Sequence, residues 1–358
     1  MTATSRAKFA LAMTASFALC ASLAAQPGPA SAATSTQGAA ATVTVKPIIQ
    51  GFLDRQQPPP KSMQSVVHAY VVKVNWADLQ PTQGGPITAN NAIDQAIARV
   101  NQADFAGLGM ALKLRVFAGV GAPDWAKSLG GAPLPYYGDP TNGGGSGTIG
   151  RFWTADFGAA YADLENKLAA KYDSVPSIRE ITVSRCTTMY DEPFVRDLGD
   201  SRNITTLLAA GYTIAADKQC IVDSIAAHDV WKQTTSDVDF SPFPLITPLG
   251  QRDLAFTESV MDQCRTMLGR RCGLQNNSLS TDKLSSSVFN AMYAHMTALG
   301  PPIVLQTARL ATIGTITQVL GAATSIGANS VELPNGYAKW SLSVLQPALA
   351  ALLQNPIS

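Results

Sequence analysis

The sequence is poor in the residues that metal, redox and phosphate sites require. Histidine occurs three times, and His68, His228 and His295 are far apart with no H-E-x-x-H motif, so protein-bound zinc is not expected. There is no C-x-x-C pair. The glycine-rich stretch at residues 143–147 carries no lysine and is not a phosphate loop, and there is no G-x-S-x-G nucleophile elbow.

Charge and long hydrophobic runs are also scarce. Charged residues make up 14% of the chain, and beyond the N-terminal region no segment has about 18 uninterrupted apolar residues. Removing residues 1–32 takes away two of the 26 basic residues and none of the 25 acidic ones, which leaves 24 against 25. A near-neutral surface gives no reason to expect nucleic acid or an anionic membrane as partner. No stable membrane insertion is expected.

The N-terminus has the features of an export signal. Arg6 and Lys8 precede an apolar, small-residue stretch at residues 9–25, and Ala-Ser-Ala at 30–32 fits a cleavage site. We therefore predict a cleaved signal peptide over residues 1–32 and a secreted, extracellular product.

The remaining chain predicts one domain after a short leader. Residues 33–45 are rich in Ala, Ser and Thr and are predicted to be a flexible leader. Residues 46–358 show no linker, and about 300 residues suit a single barrel domain. The sequence gives no clear signal of an oligomer.

Four cysteines follow the cleavage site, namely Cys186, Cys220, Cys264 and Cys272. An even number in an exported protein suggests two disulfides, for which three pairings are open. We favour Cys186–Cys220 and Cys264–Cys272, because each joins neighbouring elements.

Eight strand-like segments, separated mostly by helix-length stretches, fill nearly the whole chain. This rhythm predicts an α/β fold, a single (β/α)₈ TIM barrel with its chemistry at the C-terminal ends of the strands. Such strands are buried on both faces and should be almost continuously apolar, as the third and seventh are, whereas the polar end of the sixth suggests a site. The predicted strands are residues 43–52, 68–76, 111–120, 178–184, 237–245, 271–279, 303–308 and 329–333.

Four motifs occur in an order that resembles a known group of enzymes. They are VNWADLQP at 74–81, GAPDWA at 121–126, DEP at 191–193 and VELP at 331–334. Together they resemble the clan A glycoside hydrolases, most closely the β-galactosidase-like barrels of family 42, over roughly residues 47–345. The resemblance implies a carbohydrate substrate, hydrolysis of an O-glycosidic bond, and Glu192 as the general acid/base.

The chain departs from that pattern at two positions. Gln306 stands where the family has its nucleophilic Glu, and an amide cannot replace that carboxylate. Asp191 stands where the family usually has Asn. Either the second carboxylate comes from elsewhere, or the protein is a catalytically silent barrel that binds carbohydrate without cleaving it.

Three acidic residues are candidates for the partner of Glu192. We favour Glu332 as base or nucleophile, since a carboxylate between apolar neighbours faces the barrel mouth or is buried with a partner such as Arg115 or Arg185. Asp239 and Asp54 are the other two candidates, with turn or capping roles as alternatives. No cofactor is expected, because hydrolysis by carboxylates needs only water.

Amide side chains, aromatic side chains and the carboxylate of Asp54 are candidates for binding the sugar. Gln306, Asn276 and Asn277 suit hydrogen bonds to hydroxyls, or to backbone groups at the barrel rim. Trp76 and Trp125 suit stacking on a pyranose face, with plain packing as the alternative. Four aromatic residues flank the glycine-rich loop as a lid or as anchors of that loop, namely Tyr136, Tyr137, Phe152 and Trp153.

Overall fold

Eight parallel strands close into a barrel in the computed structural model, which describes residues 44–140 and 144–357. Each strand pairs with the next along the chain, and the last closes on the first, with Phe52 opposite Val331. The predicted TIM barrel is thus confirmed, whereas the predicted signal peptide and most of the leader lie outside the described residues. The strands are β1 (Gly51–Asp54), β2 (Val67–Asn75), β3 (Ala111–Phe117), β4 (Ile178–Thr182), β5 (Thr235–Asp239), β6 (Cys272–Leu279), β7 (Ile303–Thr307) and β8 (Ser330–Leu333).

Helices connect these strands and cover the outside of the barrel. Three prolines at residues 58–60 are incompatible with a helix interior, and only the short 3₁₀ helix Lys61–Met63 lies between β1 and β2. Within the described residues, no helix is long and apolar enough to cross a membrane. The α-helices are α1 (Trp76–Leu79), α2 (Ala92–Val100), α3 (Asp124–Lys127), α4 (Ala155–Tyr172), α5 (Ser201–Ala209), α6 (Ile214–Ala227), α7 (Leu254–Leu268), α8 (Thr281–Leu284), α9 (Ser287–Leu299), α10 (Ile316–Ile326) and α11 (Leu342–Leu352).

Side-chain caps set where several helices begin. The Asn91 side chain accepts hydrogen bonds from two backbone N–H groups in the first turn of α2, and the Thr213 side chain accepts one from the Ala216 N–H at the start of α6. Asp200 caps α5, a helix that the sequence analysis did not predict. Such caps satisfy N–H groups that a helix leaves without an internal partner.

The described segments on either side of residues 141–143 pair with each other. Leu134–Tyr136 and Gly147–Ile149 pair as a short antiparallel ribbon. Tyr136 and Phe152 are buried, and the Tyr136 hydroxyl donates to Asp197. These two aromatic rings therefore anchor the segments that flank the glycine-rich stretch. A second short ribbon, Phe243–Pro244 with Arg252–Asp253, follows β5.

The barrel interior is charged, so the expectation of an almost apolar β3 is wrong. Side chains alternate along a strand, and Lys113 and Arg115 are buried on the inward face while their Leu neighbours pack outward. Lys113 Nζ lies 2.8 Å from Asp237 Oδ2, 3.2 Å from Glu332 Oε1 and 3.7 Å from Glu180 Oε2. Burial and the negative charge of Asp237 raise the pKa of Glu180 well above its usual range.

Both disulfides have the pairing that the sequence analysis favoured. Cys186–Cys220 ties the segment after β4 to α6, and Cys264–Cys272 ties α7 to the start of β6. Both bonds are buried. The first of them fixes a loop that contributes to the site described next.

Candidate active site

A polar cavity of about 880 Å³ opens at the C-terminal ends of the barrel strands. Phe117 ends β3, Asp239 ends β5, and Gln306 lies near the end of β7, and all three line it. Asn276 and Asn277 of β6 line it as well. The position is the one at which TIM barrels place their chemistry.

The loop after β4 folds inward and brings Glu192 into the cavity. The Cys186–Cys220 disulfide holds the start of this loop. Further on, Val120 N–H donates to the Thr188 carbonyl at 3.0 Å, and Gly119 lies so close that an added Cβ would be 2.4 Å from the same oxygen. Glu192 therefore lies far from its strand in sequence but is only 8% exposed.

One oxygen of Glu192 is held and the other has no partner. Oε1 lies 2.8 Å from Nη1 of Arg196, whereas Oε2 is buried without a hydrogen-bond partner among the described residues. Burial raises the pKa of Glu192; the Arg196 charge opposes that rise and the Asp191 charge adds to it.

Asp239 has a similar arrangement with less positive charge around it. Its Oδ1 accepts a hydrogen bond from the Asn277 N–H at 3.0 Å, and its Oδ2 is buried without a partner in the described part of the chain. Burial, and then the negative charges of Glu192 and Asp191, raise its pKa well above the usual range. Glu192 and Asp191 are therefore close enough to Asp239 to influence its protonation.

Glu332 lies deeper, in the ion-pair network beneath the cavity. Its carboxylate is fully buried, does not line the cavity, and lies 2.8 Å from Arg115 Nη2 as well as near Lys113. Arg115 Nε in turn lies 2.7 Å from Asp191 Oδ2. Burial alone would raise the pKa of Glu332, but the charges of Arg115 and Lys113 outweigh it and lower that pKa to about 2. Of the two arrangements predicted for Glu332, the structure thus has the buried one, with Arg115 as the ion-pair partner.

The three amide candidates line the cavity, but each already bonds to the protein. Asn276 donates to the Phe240 carbonyl at 2.7 Å and accepts from the Tyr293 hydroxyl at 2.8 Å. Gln306 accepts from Arg115 at 3.0 Å and donates to the Asn277 carbonyl at 3.2 Å. These bonds fix the amides rigidly at the barrel rim.

The two tryptophans lie elsewhere. Trp76 is fully buried, donates to Gln80 Oε1 at 3.0 Å and meets Trp125 edge to face at 5.5 Å. Trp125 donates to the Gln80 carbonyl at 3.1 Å. Neither lines the cavity, so the packing alternative describes both.

Asp54 has a turn role in this structure. Its Oδ1 accepts from the backbone N–H of Gln56 at 2.9 Å, and its Oδ2 accepts from the Tyr337 hydroxyl at 2.9 Å. Asp54 does not line the cavity. It braces the segment that leaves β1.

Most aromatic and cationic residues of the cavity were not among the site residues predicted from sequence. Phe117, Tyr190, Phe194 and Phe289 supply apolar surface, and Phe117 meets Tyr190 edge to face at 6.1 Å. The signal was present, since Phe117 ends a strand and Tyr190 directly precedes the DEP motif. Among the described residues, no group of three or more His, Cys, Asp or Glu could hold a metal ion.

No family model matches the chain, and no curated protein matches it. Solved structures of similar fold include endo-glycoceramidase II from Rhodococcus sp., 15% identical over 86% of this chain and 80% of that one, with a TM-score of 0.49. An endo-beta-1,4-glucanase from Xanthomonas axonopodis pv. citri is 12% identical over 86% of this chain and 98% of that one, with a TM-score of 0.46. This likeness concerns the arrangement of the barrel and assigns no activity. The finer resemblance to family 42 stays a prediction.

Proposed function

We propose that the protein hydrolyses an O-glycosidic bond of a carbohydrate at the mouth of its barrel, with Glu192 and Asp239 as the reacting carboxyl pair. The observation that carries this proposal is that both side chains line one open cavity and each keeps one buried oxygen without a partner. Glycoside hydrolysis needs two carboxyl groups on either side of the scissile bond.

The surroundings of the pair suit a sugar. Aromatic rings such as Phe117 and Tyr190 offer faces for the apolar side of a pyranose, and the polar side chains between them can meet its hydroxyls. The order of the sequence motifs supports the same substrate class.

The charges around the two acids divide their roles. Arg196 contacts Glu192 and favours its ionised form, whereas the contact to Asp239 is a neutral backbone N–H. When two neighbouring carboxyls share one proton, the less compensated group retains it. Asp239 then protonates the leaving oxygen, and Glu192 acts as base or nucleophile, which reverses the role that the family resemblance implies for Glu192.

Glu332 has a different part in this proposal. A carboxylate enclosed by Arg115 and Lys113 has no contact with a ligand in the cavity. We assign it to holding Arg115, which in turn holds Asp191 beside the reacting pair.

The test is a glycan hydrolysis screen with Glu192→Gln and Asp239→Asn beside the wild type. General acid or base groups contribute about 10²–10⁴ in rate, so each variant should lose at least about 100-fold in kcat/KM. Asp282→Asn is the matched control, because it removes another carboxyl group from the same cavity. We expect it to change kcat/KM by less than about threefold. Full activity in both variants would overturn the proposal.

Substrates with different leaving groups separate the two roles. An activated aryl glycoside needs little protonation of its leaving oxygen, so Asp239→Asn should retain most activity on it while Glu192→Gln does not. The opposite pattern would restore Glu192 as the acid.

Binding without cleavage is the second candidate, and Gln306 favours it. This amide occupies the end of β7 and is fixed between Arg115 and Asn277. Calorimetric glycan binding without release of reducing sugar would support this candidate. Gln306→Glu discriminates further, because it should create hydrolysis in a silent binder and should not raise the activity of a Glu192 and Asp239 pair.

A further inference from the structure

We propose that the cavity takes a glycan with an anionic substituent, a carboxylate or a sulfate, and that Lys73 and Arg55 bind this group. The inference deepens the proposed function by naming the class of sugar. Its first support is the balance of charge, because seven Lys and Arg residues line the cavity against four Asp and Glu. Two of those cations form ion pairs with acids of the cavity, Arg115 with Asp191 and Arg196 with Glu192.

Lys73 has no counter-ion in direct contact. Its side chain lies on β2, is mostly enclosed and lines the cavity, yet it has no hydrogen bond or ion pair among the described residues. An ammonium group that is partly withdrawn from water and has no partner destabilises the fold. Burial, together with the positive charges of Arg115 and Arg55, lowers the pKa of Lys73 to about 8. A bound anion would relieve both effects.

Arg55 lies beside it and is also incompletely satisfied. Its Nη2 donates to Thr307 Oγ1 at 3.1 Å and to the Thr307 carbonyl, whereas its Nε is buried without a partner in the described part of the chain. The Thr307 contacts hold the guanidinium in one orientation at the cavity wall. An immobile guanidinium next to an unpaired ammonium is a site for a carboxylate or sulfate.

The positions of these residues around the barrel give the mouth two sides. Arg55 follows β1 and Lys73 lies on β2, whereas Glu192 follows β4 and Asp239 ends β5. Because the strands are ordered sequentially around the barrel, β5 stands across from β1. An anionic group held on the cationic side leaves the rest of the glycan extending toward the carboxyl pair.

The experiment compares three versions of one oligosaccharide backbone by calorimetry on the full chain. The versions are trigalacturonate, its neutral carboxyl-reduced form, and a sulfated galactotriose. Glu192→Gln is the background, so that hydrolysis does not interfere with binding. We expect tighter binding of an anionic version than of the neutral one, and weaker binding of the anionic one as the salt concentration rises.

Three substitutions in that background test the assigned residues. Lys73→Met should weaken anionic binding at least about tenfold and neutral binding less than about twofold, since one close charge contact is lost. Lys73→Arg should restore most of the loss. Lys232→Met is the control, because Lys232 is an exposed lysine paired with Asp229 outside the cavity, and it should change neither constant. A melting temperature for each variant shows that it folds.

Each outcome decides the proposal. The proposal is supported if the protein prefers the carboxylated version, the sulfated version or both, and if Lys73→Met abolishes that preference. The preferred version then identifies the anion. Equal binding of all three versions, no binding of the anionic ones, or an equal loss in Lys73→Met overturns it.

The same measurements separate this inference from the proposed hydrolysis. Anionic binding through Lys73 without release of reducing sugar by the wild type would refute only the proposed reaction. Hydrolysis of the neutral glycan through Glu192 and Asp239, with no preference for the anionic versions, would refute only the anion site.

Discussion

Glu332→Gln is expected to destabilise the fold strongly, because Glu332 balances the two cations inside the barrel. The substitution keeps the size of the side chain and removes its charge. Lys113 and Arg115 then lose the carboxylate that lies 3.2 Å and 2.8 Å from them, and both are fully buried or nearly so. Removing one partner of a buried ion pair costs about 3–5 kcal/mol when the other charge is left alone. Asp237 stays near Lys113 and Asp191 stays near Arg115, so we expect a loss at the lower end of that range.

The pKa of Glu332 gives a second value for its contribution to the free energy of unfolding. It falls from 4.5 to about 2 in the folded protein, and each pKa unit corresponds to about 1.4 kcal/mol. The ionised group therefore contributes about 3 kcal/mol at pH 7, which agrees with the ion-pair figure.

The sign of the pH dependence follows from the direction of that shift. A carboxyl with a lowered folded pKa contributes its full stability above the unfolded pKa, and loses it as pH falls from about 4.5 through about 2. The difference in unfolding free energy between wild type and Glu332→Gln should thus shrink from about 3 kcal/mol at pH 7 to about 1 kcal/mol at pH 3.

Urea unfolding followed by tryptophan fluorescence at both pH values measures this difference. Glu258→Gln on α7 is the matched control and should lie within about 0.5 kcal/mol of wild type at either pH, because that residue forms no ion pair in the described structure. Suppose instead that Glu332→Gln is as stable as wild type, shows no pH dependence and is inactive on a cleaved glycoside. The structural role would then be refuted, and Glu332 would regain its place as the catalytic partner.

Three further predictions concern the loops and the core. The entropy of closing loops of 34 and 8 residues predicts losses of about 3.8 and about 2.5 kcal/mol when Cys186–Cys220 and Cys264–Cys272 are replaced by alanines, and unfolding curves showing the reverse order would contradict this. Trp76→Phe removes the indole hydrogen bond in the core and should cost about 1–3 kcal/mol in urea unfolding with unchanged glycan affinity, so a loss of affinity at unchanged stability would favour sugar stacking. Gly119→Ala should lower kcat more than it raises KM, because the new Cβ displaces Thr188 and the loop carrying Glu192, and unaltered kinetics would show that this close approach does not position the acid.

Six of the eight barrel strands could be placed from sequence, whereas the predicted segments at 43–52 and 237–245 overlap β1 only at residues 51–52 and β5 only at residues 237–239. The predicted segments at 178–184, 271–279 and 303–308 overlap β4, β6 and β7 almost completely. In each of these segments the local sequence pattern favours the structure that the tertiary environment also favours. The pattern alone is therefore enough to place the strand.

The site was harder to predict because its contacts join residues that are distant in the chain. Arg115 and Glu332 are 217 residues apart, and nothing local in β3 indicates that its two cations face inward. Asp239 was named as a candidate, but only the folded barrel reveals that one of its oxygens is buried without a partner. Trp76 was misleading, since a tryptophan at a strand end looks the same in sequence whether it faces a ligand or a helix.

The charged interior of the barrel also affects how the chain can fold. Strand β3 supplies the cations, and the one carboxylate that contacts both of them comes from β8, the last strand of the barrel. A chain truncated before β8, or an isolated N-terminal half-barrel, would have to bury two cations without their shared carboxylate. Such intermediates should be disfavoured, so the barrel is expected to assemble with high cooperativity and only once β8 has been synthesised.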